Sequence, residues 1–192
     1  GLIRKIGPDG YMNPEDNRTA DYLAQICSEI TRNYDVDGIH LDYIRYPETW
    51  NIKVSREKGR QFITRIVEAI HRSVKREKPW VKMSCSPVGK FDDLSRYWRS
   101  GLMDELYPMM YFRNEQFFPF AIDWAEQSHG KIVVPGLGIY FLDPKEGKWK
   151  IGDITSEMYH LRNIGLGHAF FRNKFLLDNR QGIYDFTSKE FN

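Results

Sequence analysis

At 192 residues, with 41% hydrophobic and 28% charged side chains, the chain is long enough for one domain over 1–192 with a sizeable core. The 28 basic residues nearly balance the 26 acidic ones, for a net charge of +2, and they lie scattered among the acids, which argues against a nucleic-acid partner. No apolar run approaches the roughly 20 residues that span a bilayer, and Cys27 and Cys85 read as small buried apolar residues, one in a helical and one in a strand pattern, not as a disulfide framework.

Residues 1–17 carry Gly7, Pro8, Gly10 and Pro14 and read as a loop with one short extended piece around Tyr11. Over 19–34, Leu23, Ile26, Cys27, Ile30 and Tyr34 recur at three- and four-residue steps, which predicts a helix burying that stripe. Apolar residues then alternate with Asp and His over 36–44, a strand that Pro47 stops. A second helix is expected over 55–78, with Phe62, Ile63, Ile66, Val67, Ile70 and Val74 on one face, Ser55 as N-cap and Pro79 as terminator. The cycle repeats: strand 81–86, a short helix near 93–100, strand 105–111, helix 120–128, strand 132–137, a helix near 154–164 closed by Gly165, strand 167–171, and a partly helical tail.

Five strands joined by helical crossovers predict an α/β fold with parallel strands, either an open doubly wound sheet or part of a barrel. No strand leads into a G-x-G-x-x-G or G-x-x-x-x-G-K-[ST] loop, and Gly136-Leu137-Gly138 alone does not make a phosphate cradle. In a barrel the reacting groups come from the C-terminal strand ends. There the first parallel strand offers His40 and Asp42 on one face, followed by Arg45. A carboxylate on a buried strand needs a partner, which Arg45 or a tyrosine such as Tyr111 is expected to supply; a structural ion pair is the plain alternative.

The run from Tyr34 to Pro47, Y-D-V-D-G-I-H-L-D-Y-I-R-Y-P, resembles the signature of the glycoside hydrolase-like family 10 proteins. Met12-Asn13-Pro14, Ser86-Pro87, Tyr107-Pro108 with Tyr111, and Gly136 match in order along the rest of the chain. The resemblance implies a (β/α)8 TIM-barrel fold, here a partial barrel covering strands four to eight, and the role of fourth-strand catalytic carboxylate for Asp42. The same stretch distantly resembles family 18 chitinases, whose fourth strand reads D-x-x-D-x-D-x-E and whose sixth ends in M-x-Y-D. Ile44 replaces that Glu and Phe112 that final Asp, so a working chitinase is not expected, because isoleucine cannot protonate a leaving oxygen.

Glycoside hydrolysis usually takes two carboxyl groups. Glu115 and Asp143, each following a strand, are the candidates for the second, whereas Asp104 and Glu105 start a strand and suit a stabilising role. His40, Arg45, Tyr46, Tyr111, Tyr140 and Asn173 are candidate sugar-binding residues, with Tyr43, Trp50, Phe112, Phe141 and Phe171 as further stacking walls. The five histidines show no metal-ligand spacing and no serine stands in a G-x-S-x-G elbow, so neither a metal, a cofactor nor acyl transfer is expected. The leading expectation is a glycosidase acting on an oligo- or polysaccharide, exported to the periplasm or the medium as the resemblance implies. The alternatives are a non-catalytic carbohydrate-binding or scaffold barrel, and a barrel enzyme for another small metabolite. A partial barrel leaves open sheet edges, to be covered by a completing N-terminal segment or a second copy.

Overall fold

The computed structural model describes residues 1–6, 8–46, 54–88, 100–128 and 130–191. Pro47, Trp50, His129 and all but the last residue of the helix expected over 93–100 lie outside the described residues. The chain forms two compact units, Gly1–Cys85 with Arg96–Asp104, and Ser86–Ser95 with Glu105–Asn192.

The first unit opens with an antiparallel hairpin, β1 (Ile3–Ile6) and β2 (Asp9–Met12), with Ile3 opposite Met12, where one extended piece in a loop was expected. Helix α1 (Asn17–Asn33) follows, its first turn capped by Asp16, whose carboxylate accepts from the Arg18 amide at 3.0 Å. Then come β3 (Gly38–Leu41), α2 (Arg56–Glu77) and β4 (Lys82–Cys85), with β4 parallel to β3 and His40 opposite Ser84. Ser55 caps α2 as expected, accepting from the Lys58 amide at 3.2 Å, and Ile63, Ile66, Val67, Ile70 and Val74 are buried.

Helix α1 corrects the expected stripe. Its buried face is small, comprising Thr19, Ala20, Ala24, Cys27, Ser28 and Thr31, while Ile30 stays 37% and Tyr34 63% exposed. The small face packs against α2, where the Ser28 hydroxyl donates to Glu77 at 2.7 Å and Arg32 pairs with the same carboxylate at 2.7 Å. Periodicity marks the helix, but close helix pairing selects the small side chains, leaving Leu23 and Ile26 half-buried and Ile30 outside.

The second unit contains β5 (Glu105–Leu106), α3 (Asn114–Gln127), β6 (Ile132–Val133), β7 (Gly136–Gly138), a 3-10 turn (Ile139–Leu142), α4 (Ile151–Asn163), β8 (Ala169–Phe171), α5 (Asn173–Leu177) and α6 (Ile183–Glu190). Strand β5 runs parallel to β6, and β7 parallel to β8, with single parallel bridges joining Val88 to Met109 and Met109 to Gly136. The strand expected over 132–137 is therefore two strands, divided at Pro135, which has no N–H to give a ladder. Helix α3 begins at Asn114, six residues before its expected start at 120, because Pro119 is accommodated inside it and only the bond to the carbonyl four residues back is lost. Phe117, Trp124, Leu137, Ile139, Ile154 and Leu161 form the buried centre of this unit. Within each unit, strands that follow one another across a helix run parallel, which is the βα repeat. Among the described residues no helix is long and apolar enough to cross a membrane.

Candidate functional site

In the first unit, β3 buries Ile39 and Leu41, so alternation sends His40 and then Asp42 to the other face. His40 Nδ1 lies 2.8 Å from Ser84 Oγ on β4. Burial pulls the His40 imidazole below its usual range, and the Asp42 carboxylate acts in the opposite direction.

Asp42 stands immediately past the strand end and is exposed. Its carboxylate accepts from the Tyr43 amide at 2.7 Å, and Tyr43 adopts the left-handed conformation with φ +53. A non-glycine residue held there is a strained turn of the kind that gathers at functional sites. The expected Asp42–Arg45 pairing does not form. The Arg45 guanidinium instead lies 4.1 Å from the centre of the Tyr43 ring, and the Tyr43 ring is 5.9 Å from that of Tyr11. Because Asp42 is solvated at the strand end, it needs no buried counter-charge. Behind this turn is an apolar cavity of about 160 Å³, lined by Tyr11, Met12, Leu23, Ile44, Ile63 and Ile66.

Tyr46 is tied into the body of its unit. Its hydroxyl donates to Glu15 at 2.8 Å, and the same carboxylate oxygen accepts from Arg4 at 3.1 Å. Its ring stacks on Phe62 and covers Gly59 so closely that a Cβ there would meet Tyr46 Cγ at 3.0 Å. Burial, reinforced by the Glu15 carboxylate, pushes the Tyr46 hydroxyl up to about 12. Asp104 acts as a brace, accepting from the Met83 amide at 2.8 Å and from Lys75 at 3.3 Å.

The second unit gathers three rings from separate strand ends. Tyr111 stacks on Phe171 at 5.4 Å and meets Tyr140 edge-on at 5.9 Å, and Tyr140 meets Phe171 edge-on at 5.8 Å. The wall continues through Phe141, 4.2 Å from Tyr140, to Trp149, 4.8 Å from Phe141, with Arg113 above the Trp149 ring at 5.1 Å. Gly136 and Gly138 make this packing possible: a Cβ at Gly136 would come within 3.3 Å of the Tyr111 ring, and one at Gly138 within 3.2 Å of Tyr140. Burial, and then the Glu146 carboxylate, raise the Tyr140 hydroxyl above its ordinary range.

Asp143 follows the 3-10 turn with its side chain only 14% exposed, 3.5 Å from Arg180, and it accepts from the Lys145 amide at 2.9 Å. Glu115 sits exposed in the first turn of α3, on a helix and not on the expected loop. Asn173 begins α5 and is exposed. Phe112 packs edge-on against Phe120 at 5.3 Å. Sequence reasoning passed over Ser84, Arg180 and Gln181. Strand register places Ser84, and long-range closure places the other two; neither leaves a local signal. Among the described residues no group of three or more His, Cys, Asp or Glu side chains is placed to hold a metal ion.

The βα order and the strand-end side chains define a (β/α)8-barrel type of fold, of which the chain carries a part, with glycosidase barrels as its structural neighbours. The family 18 chitinase of Crocus vernus superimposes with a TM-score of 0.65 at 15% identity, covering 100% of this chain and 69% of that one. Alpha-L-fucosidase isoenzyme 2 of Paenibacillus thiaminolyticus gives a TM-score of 0.63 at 15% identity, covering 94% of this chain and 31% of that one. At such identities the likeness concerns the fold. In sequence the chain is 22% identical over 165 residues to the glycosyl hydrolase YngK of Bacillus subtilis, a match covering 64% of this chain and 32% of the relative. The chain thus spans less than a third of that relative's length matched in alignment. No protein-family model matches the chain.

Proposed function

We propose that the chain is part of a glycoside hydrolase, of the glycoside hydrolase-like family 10 kind, that acts on an oligo- or polysaccharide with Asp42 as its central carboxylate. The observation that carries this reading is the placing of Asp42: an exposed carboxylate at the exit of a parallel strand, on a left-handed non-glycine turn. Relatedness to a glycosyl hydrolase and the fold of glycosidase barrels support it. Tyr111, Tyr140 and Phe171 supply faces for sugar rings. His40, Arg45, Tyr46 and Asn173 have polar groups of the right kind for sugar hydroxyls, although the Tyr46 hydroxyl already donates to Glu15. Of the candidate proton donors, Asp143 is taken up by its pair with Arg180, whereas Glu115 is exposed and reachable from solvent. Export to the periplasm or the medium fits a polysaccharide substrate. Strand β3 pairs only with β4 among the described residues, and Tyr22 and Ile30 of α1 are exposed, which suits a completing N-terminal segment or a second copy.

The test is hydrolysis of aryl glycosides and soluble polysaccharides by the wild type and by Asp42→Asn. The expected result is a fall of roughly 10²- to 10⁴-fold in rate with an unchanged melting temperature, because among the described residues the exposed carboxylate bonds only to its neighbouring amide. Full activity in the variant would remove Asp42 from the mechanism. Saccharide binding without turnover in the wild type would favour the second reading, a carbohydrate-binding barrel, to which the Asp143–Arg180 pair also points.

A further inference from the structure

The ring of Tyr140 belongs to the aromatic wall, but its backbone belongs to a loop over 140–150 that has little secondary structure of its own. Inside the loop, the Asp143 amide donates to the Tyr140 carbonyl at 3.0 Å, those of Glu146 and Gly147 to the Asp143 carbonyl at 3.0 and 2.9 Å, and that of Trp149 to the Phe141 carbonyl at 3.3 Å. These bonds shape the loop, and its closure depends on one side chain from far along the sequence. Gln181 Nε2 donates to the Leu142 carbonyl at 3.0 Å and to the Trp149 carbonyl at 2.9 Å, and its Oε1 accepts from the Ile151 amide at 3.0 Å. A single amide group therefore joins the start of the loop, its end and the first residue of α4.

The backbone that delivers this side chain is unusual. Asn179, Gln181 and Gly182 have φ of +48, +52 and +80. Glycine takes this region without penalty and asparagine tolerates it, whereas glutamine seldom occupies it. The turn is fixed from its other side, since Asn179 Oδ1 accepts from the Tyr184 amide at 2.9 Å and the Asp185 amide at 3.3 Å, and the Gly182 amide donates to the Asn179 carbonyl at 2.9 Å. A segment that only had to turn would carry glycine or asparagine at 181. Holding glutamine there is explained by its three bonds, all directed at the loop. Arg180, beside it, reaches Asp143 of the same loop at 3.5 Å.

We propose that Gln181 is a positioning residue for the sugar-binding wall, latching the 140–150 loop so that Tyr140 is held edge-on to Tyr111 and Phe171. This rests on the carbohydrate reading of that wall. Tyr140 lies in the 3-10 turn whose last carbonyl, that of Leu142, is one of the two acceptors of Gln181, so loss of the latch frees the turn that aims the ring.

The test uses the full chain in four forms: wild type, Gln181→Ala, Gln181→Glu, which keeps an acceptor but loses both donors, and Gln181→Asn as a conservative partial rescue. Amide hydrogen exchange is followed over 140–151 and over β5 and α3, and binding of cello-, chito- and xylohexaose is measured by calorimetry. We expect exchange over 140–151 to rise about ten-fold or more in Gln181→Ala and Gln181→Glu while β5 and α3 keep their protection, with a smaller rise in Gln181→Asn. The hexasaccharide that the wild type binds should bind about five-fold or more weakly to the first two variants at an unchanged melting temperature, an outcome that a merely structural role would not give. If Gln181→Ala does not fold, the other two variants carry the comparison. Unchanged loop exchange would overturn the latch, and faster exchange with unchanged sugar affinity would overturn the positioning role. A wild type that binds none of the three sugars would overturn both the carbohydrate reading and the positioning role, and would be told apart from failure of the latch because it is seen without any variant.

Discussion

Glu157 makes the stability of this structure depend on pH. It lies fully buried on α4, and neither carboxylate oxygen has a hydrogen-bond partner. Burial, and secondarily the Asp153 carboxylate one turn earlier, raise it from 4.5 to about 9. Two elements packed on α4 bring no cation to offset this: β7 is Gly136–Gly138, and α3 carries no Lys, Arg or His. The folded state therefore keeps a proton that the unfolded chain releases above about pH 4.5. The unfolded state binds fewer protons throughout the interval, so stability falls as pH rises, from its full value below 4.5 until the folded group itself ionises near 9. At 1.36 kcal/mol per pH unit, this group alone removes about 4 kcal/mol between pH 5 and pH 8, a large part of the ~5–15 kcal/mol that a domain commands. Glu157→Gln cannot ionise and keeps the shape of the neutral acid. With a urea dependence of about 2 kcal/mol per M, the wild-type midpoint should fall by about 2 M relative to the variant over that range, followed by tryptophan fluorescence. Wild type and Glu157→Gln moving in parallel with pH would refute the reasoning.

Two further substitutions test the packing. Gly59→Ala gains helix propensity but sets a Cβ 3.0 Å from Tyr46 Cγ, under a ring held by Phe62 and Glu15; the melting temperature should drop by the equivalent of roughly 1–3 kcal/mol, and ultraviolet titration should show the Tyr46 hydroxyl moving down from about 12. Asp104→Ala removes the acceptor of the Met83 amide and the partner of Lys75, and should cost about 1–3 kcal/mol in urea unfolding; a neutral result would show that the brace is dispensable.

What the sequence shows well is local. Ser55 and the stripe from Ile63 to Val74 fix α2 because capping and periodicity act within a few residues. The strand alternation that puts His40 and Asp42 on one face is equally local. What it hides depends on neighbours. Nothing within α1 says that Ala20, Ala24 and Ser28 will be buried while Ile30 is left outside, since that choice is made by how closely α1 and α2 approach. Pro135 breaks one apolar run into β6 and β7, whereas Pro119 sits inside α3, and only the tertiary setting separates the two outcomes.

The candidate site follows the same division, and its chemistry changes with it. Read as an isolated carboxylate on a buried strand, Asp42 calls for a counter-charge, and Arg45 is the nearest one in sequence. The chain ends β3 at Leu41, three residues before the expected end at 44, turns at Tyr43 through a left-handed conformation and spends Arg45 on the Tyr43 ring, so the carboxylate reaches solvent. An ion-paired aspartate would be occupied, while an exposed one bonded, among the described residues, to a backbone amide remains available to a substrate. The pair Gly136 and Gly138 shows the complementary case. Their spacing signals no phosphate loop, and the reason for glycine there appears only when Tyr111 and Tyr140 are laid against β7 and its turn. Small residues at a strand end are therefore as informative about an aromatic wall as the aromatic residues themselves, because a ring can lie flat on a backbone only where no Cβ stands in its way.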